Sequence, residues 1–237
     1  MTARHQPQDV VRFCREAGPG KWFDKDEAFD RAFTARFLDA HMAAARRELD
    51  HWLDETEGAL ALLILLDQLP RNAFRGTAHM FATDPLALSF ARQAVARGHD
   101  RAVEPALRVF FYLPFEHSES LADQERAVAL CEGLDNYAKY ARTHRDVIAR
   151  FGRFPHRNAV HGRETTAEER AFLDAGGLCR VSGIPVGAHP VRDRGSSRRV
   201  SSRTGCAPTV GVTPACALPP PRPPHPAAPG RLRQPAG

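Results

Sequence analysis

The chain is poor in the residues that would fasten a fold covalently or carry it across a membrane. It has 5 cysteines in 237 residues, none in a Cys-x-x-Cys pair. Disulfide scaffolds and zinc ribbons therefore find no support, and the usage fits a reducing compartment. Cys14 and Cys131 read as small apolar residues within helices. The longest apolar run, Ala59–Leu66, is eight residues, whereas a membrane span needs about 20. No apolar stretch follows the charges of the N-terminus, so no signal peptide is expected and the reading is cytoplasmic. Asn-Gly and Asp-Gly hairpin turns are missing, and no segment alternates at period two. Gly18-Pro19-Gly20-Lys21 lacks the spacing of a phosphate loop, and nucleic-acid motifs are absent as well.

Charge is unevenly divided. Residues 1–177 hold 24 Lys+Arg against 27 Asp+Glu, net −3, while residues 178–237 hold 9 Arg, no Lys and one acid, net +8. The basic character of the chain thus belongs to its last 60 residues, and nucleic-acid binding by the first 177 is not expected. Those last residues also carry 12 of the 19 prolines and no Phe, Trp or Tyr. They have too little apolar surface to offset the entropy of ordering, so a disordered tail is expected. Their Pro, Arg, Gly, Ala and Ser content also resembles a GC-rich gene read out of frame, so the segment reads as frame-shifted. The domain reading is a helical domain, 1–177, and a Pro/Arg-rich tail, 178–237.

What remains reads as helix after helix. Phe29, Phe33 and Phe37, continued by Leu38 and Met42, recur at helical spacing after Asp24 and Asp26. A helix from about Asp54, with Glu57 in capping-box register, runs through the apolar eight and should end near Leu69, before Pro70. Asp84-Pro85 reads as an N-cap followed by proline at the first helical position. Glu104-Pro105 opens another helix that Pro114 should end. Ser118 or Ser120 opens the next. Asn136–Phe151 is closed by Gly152, and Thr165 and Thr166 with Glu168 and Glu169 open the last. Short connections favour antiparallel neighbours. The expected fold is all-α: antiparallel helical hairpins in a compact bundle or a short superhelix.

Leu66-Asp67-Gln68-Leu69-Pro70-Arg71-Asn72-Ala73-Phe74-Arg75-Gly76-Thr77 resembles a bacterial family known as domain of unknown function 924. Lys21-Trp22-Phe23, Met80–Asp84, Arg108–Glu119, Arg150–Asn158 and Gly162-Arg163 carry the same resemblance. It covers about residues 8–177 and implies a tetratricopeptide-like helical fold. It implies no activity. Members of that family usually stop soon after the equivalent of Gly176-Gly177.

Polar residues cluster in the same stretches. Asp67, Gln68, Arg71 and Asn72 follow directly on the apolar run, with Asp67 and Arg71 spaced to pair on one face. They either cap the helix and tie down its loop or, with Arg75, line a pocket for an anion. In Glu116-His117-Ser118-Glu119 two carboxylates flank an imidazole and can raise its pKa for acid–base work. Structural roles compete, including a cap at Ser118. No His-Glu-x-x-His spacing supports a metal, and no cofactor is specified. Arg153, His156, Arg157 and Asn158 lie on a loop punctuated by Gly152 and Pro155. The leading expectation is one pocket binding a small anionic ligand, with Glu116, His117 and Glu119 handling protons and Arg71, Arg153 and Arg157 holding the anion. The alternative is a scaffold for a protein or peptide partner.

Overall fold

The computed structural model describes residues 5–23 and 25–178. Residues 1–4, Asp24 and residues 179–237 lie outside the described residues, and with them nearly all of the segment read as a tail. Within the described residues every regular element is a helix: α1 Pro7–Ala17, α2 Pro19–Trp22, α3 Glu27–Ala45, α4 Thr56–Leu63, α5 Leu69–Ala73, α6 Asp84–Ala96, α7 Val109–Glu116, α8 Leu121–Leu130, α9 Asp135–Phe151 and α10 Ala167–Asp174. Short 3-10 turns join several of them. Among the described residues, no helix is long and apolar enough to cross a membrane.

The caps follow local chemistry. The Asp26 side chain accepts from the Ala28 and Phe29 amides and starts α3. Thr166 and Glu169 form the capping box that starts α10. The apolar eight, Ala59–Leu66, are all fully buried at the centre of the core. Helix α4 packs against both α1 and α6, and α3 packs against α5. Helices α6, α7 and α8 each pack against the next in sequence. Gly58 lets α4 approach the turn before it. A Cβ there would lie 2.1 Å from the Trp52 carbonyl oxygen, so a side chain would force the two apart.

Two prolines behave differently from expectation. Pro114 sits inside α7, whose eight residues are all buried. The helix runs on to Glu116, and the His117 amide still donates to the Leu113 carbonyl at 2.8 Å. Burial on all sides outweighs the donor that proline removes. Pro70 does not stop its helix either. The backbone widens into a π turn over Ile64–Gln68, in which the Leu69 amide reaches back to Ile64, and then resumes as α5.

That π turn has a simple cause. Pro70 has no N–H, so the carbonyl it would serve, Leu66 four residues back in an α-helix or Leu65 five back in the π turn, lacks its helical donor. Side chains from other elements replace it. His41 Nδ1 of α3 donates to the Leu65 carbonyl at 2.9 Å, and the Thr83 hydroxyl donates to the Leu66 carbonyl at 2.5 Å. A buried carbonyl left without a donor would cost about 1–3 kcal/mol. Both replacements therefore hold the π turn in place, and Asp67 and Gln68 lie on it.

Candidate functional site

Asp67 is the hub of a buried polar cluster. Its residue is 1% exposed, yet it reaches groups from two further elements. Asp67 Oδ1 lies 2.8 Å from His117 Nδ1, at the C-terminus of α7, and 3.4 Å from Arg71 Nη1 on α5. Gln68 Nε2 donates to the other oxygen. Burial opposes charge on Asp67, but Arg71 and His117 outweigh it and hold its carboxyl below the usual carboxylate range. Burial, seconded by the Arg71 charge, pushes the His117 pKa down. A neutral His117 must donate from Nδ1 to the carboxylate, which leaves Nε2 as the acceptor. Among the described residues Nε2 has no hydrogen-bond partner.

Arg71 is tied on both arms. Its guanidinium donates twice to Asp84 at the start of α6, at 2.9 and 2.9 Å, and once to the Asp67 carbonyl. Asp84 is therefore not the N-cap that the Asp-Pro pair suggests. Thr83 occupies that position, and the Asp84 carboxylate turns to the cations. Arg157 comes to the same carboxylate from the loop after α9, with Nη1 3.5 Å from Asp84 Oδ2. Its guanidinium lies between two aromatic rings, 4.4 Å from the Phe81 centroid and 4.5 Å from that of Phe154. Arg157 is 7% exposed, and its buried Nε has no partner. Burial brings its pKa down to about 10, with Arg71 adding to the effect, so it remains a cation at neutral pH.

Three segments distant in sequence, around Arg71, His117 and Arg157, thus meet through Asp67 and Asp84. The carboxylates beside His117 do not serve it. Glu116 Oε1 lies 2.9 Å from His144 Nδ1 on α9. Burial disfavours charge on His144, but Glu116 outweighs it and raises its pKa. Glu119 accepts two bonds from Arg163, at 2.7 and 3.0 Å, and one from the Phe154 amide. The flanking-carboxylate argument therefore fails for His117. Helix α7 ends there, and successive side chains leave in different directions. The carboxylate that does meet the imidazole is fifty positions away, and it lowers neither burial nor the repulsion from Arg71.

The remaining candidates fall into two groups. Arg153 grips Glu169 with two bonds, at 2.6 and 2.9 Å, and Asn158 donates to the same carboxylate at 3.2 Å. Together they lock the loop after α9 onto α10. Asn72 and Arg75 turn away to Asp30 on α3, at 2.6 and 2.8 Å. His156 is exposed at the rim, with its ring 5.5 Å from that of Phe154. Asp84, His144 and Phe81 are the residues at the cluster that their local patterns assign to other work. A cap motif accounts for Asp84, and helical context accounts for His144.

Two cavities among the described residues lie elsewhere. One of about 530 Å³ is lined by His5, Gln6, Asp39, Arg46 and Trp52, among others, and one of about 750 Å³ runs beside α3 past Arg36, Leu38 and Met42. None of the hub residues lines either. Of their polar side chains, Asp39 contacts His5 and Arg46 pairs with Glu48, while Arg36 lies over the Phe13 and Phe37 rings. Size favours these grooves and chemistry favours the hub. The hub is the place where buried charge, an imidazole with a free nitrogen and an under-used guanidinium coincide. Among the described residues no group of three or more His, Cys, Asp or Glu side chains is arranged to hold a metal ion.

Comparison with known proteins places the whole of this architecture in one group. A family model, described as bacterial protein of unknown function (DUF924), matches residues 10–177. A solved structure of a protein of unknown function from Agrobacterium tumefaciens is similar over 72% of this chain and 97% of its own, at 61% identity and a TM-score of 0.71. No curated protein matches.

Proposed function

The chain belongs to the DUF924 family of bacterial proteins of unknown function, and we propose that its polar hub binds a small anionic ligand, with Arg157 as the anion-holding group and the Asp67–His117 pair as the proton-handling group. The observation that carries this reading is the state of Arg157: buried, cationic, stacked between Phe81 and Phe154, and bonded through a single long contact to a carboxylate that Arg71 already saturates. A desolvated guanidinium of this kind gains strongly from an added anion. Asp67 would orient the imidazole and fix its tautomer, leaving His117 Nε2 to accept or deliver a proton. Glu116 and Glu119 support the site through His144 and Arg163 rather than touching the ligand. Arg71 and Arg153 hold the protein together.

A thermal-shift screen of the full chain against small anions and divalent metals tests the reading. A specific ligand raises the midpoint by mass action, by an amount equivalent to about 2.7 kcal/mol at a hundredfold excess over its Kd. Anions that raise it, with metals inert, support the reading. No response to any anion removes it.

The second reading, a scaffold for a protein or peptide, has its support in the grooves along α3. They adjoin at His5, Asp39 and Arg46, far in chemistry from the hub. A partner captured there would be displaced by Asp39→Arg and untouched by changes at Arg157.

A further inference from the structure

We propose that the hub takes its anion as a planar carboxylate monoanion together with one proton, which His117 accepts on Nε2. This rests on the anion-binding reading above and adds to it the charge of the ligand and its coupling to protonation.

Charge must balance in a cluster whose centre, Asp67 and Arg157, is buried. Asp67, Asp84, Glu116 and Glu119 carry the negative charge. Arg71, Arg157, Arg163 and His144, in the protonated form that Glu116 favours, carry the positive charge, and they are matched one to one by direct contacts of 3.5 Å or less. The cluster is therefore neutral as it stands. A monoanion on Arg157 leaves it one charge negative, and a dianion leaves it two charges negative. Burying uncompensated charge is expensive. One neutral base is hydrogen-bonded into the cluster with a nitrogen to spare, and that is His117. Taking up one proton there restores balance for a monoanion and cannot do so for a dianion.

The surroundings of His117 fit such a role. Asp67 from the π turn and Asp84 from α6 favour its protonated form, and Arg71 from α5 opposes it. His156, from the loop after α9, lies within electrostatic reach, next to Arg157. Its chain neighbour Glu116 is committed to His144. The charge of a bound anion acts on the imidazole in the same sense as the charges of Asp67 and Asp84, toward protonation. The planar fork of a guanidinium matches the planar geometry of a carboxylate.

The test is an NMR titration of the His117 ring and the Arg157 Nε–H in the full chain, in acetate, in sulfate and in chloride at equal ionic strength. Acetate should move the Arg157 signal and raise the His117 pKa by about one unit relative to chloride. By reciprocity the protonated protein then binds acetate about tenfold more tightly. Sulfate should bind more weakly. If acetate moves the Arg157 signal while the His117 pKa stays at its chloride value, proton coupling is overturned and anion binding stands. If sulfate raises the His117 pKa as much as acetate does, the assignment to a monoanion is overturned. If neither signal responds to either anion, the reading of the hub as an anion site falls as well.

Discussion

Arg157 and Arg163 leave the same loop and do opposite things. Arg163 donates two bonds to Glu119 and a third to the Phe154 carbonyl. Arg153 does the same with Glu169 and the Glu164 carbonyl, and Arg71 with Asp84 and the Asp67 carbonyl. Each is a rivet: two arms on a carboxylate and one bond to a backbone oxygen. Arg157 has one arm on a shared carboxylate at 3.5 Å and aromatic rings on either side. Counting arginines on a loop does not separate the two kinds. What separates them is how many donors already have acceptors, and that depends on elements remote in sequence.

The comparison can be broken by removing rivets one at a time. Arg71→Met should have the largest effect. It leaves Asp67 and Asp84 without their main cation in a buried setting, at a cost of about 3 kcal/mol, read as a lowered urea midpoint with an unchanged m-value. A midpoint close to wild type would mean that Arg71 is no rivet. Arg163→Met should cost less, about 1 kcal/mol, because Glu119 is partly exposed and water takes over some of its bonding.

The two histidines of the cluster sharpen the same contrast through pH. The folded pKa of His144 is raised by Glu116 against burial. Its stabilising contribution is complete below the unfolded value of about 6.5 and is lost as pH rises through the folded value. The folded pKa of His117 is lowered by burial and Arg71. Its contribution is complete above the unfolded value and is lost as pH falls through the folded one. Stability curves of His144→Gln and His117→Gln should therefore diverge from wild type in opposite directions. The first should lose an alkaline slope and the second an acidic one. Parallel curves would contradict the assigned charge states.

Much of the fold is legible in the residues themselves. The Phe29/Phe33/Phe37 stripe, the buried Ala59–Leu66 run and the Thr166/Glu169 box each specify a helix by local physics. The prolines mislead because the rule that they end helices is local, while Pro70 is accommodated by donors from His41 and Thr83. The site is legible only as a set of suspicious polar segments. Their convergence follows from tertiary packing. So does the exchange of partners that gives His117 to Asp67, Glu116 to His144 and Glu119 to Arg163. Asn72 and Arg75 share the segment of Arg71, yet they face Asp30: Asn72 is the next position on the helix, and Arg75 lies beyond the end of α5.

The central claim is that Arg157 is held for a ligand and not for the fold. Arg157→Met keeps the bulk between Phe81 and Phe154 and leaves Asp84 with its two bonds from Arg71, so it should destabilise the fold clearly less than Arg71→Met does. The direct measurement is the thermal midpoint of wild type and Arg157→Met as acetate replaces chloride at constant ionic strength. The account predicts a rise in wild type and a flat response in the variant. An equal rise in both, or a variant as unstable as Arg71→Met, would contradict it.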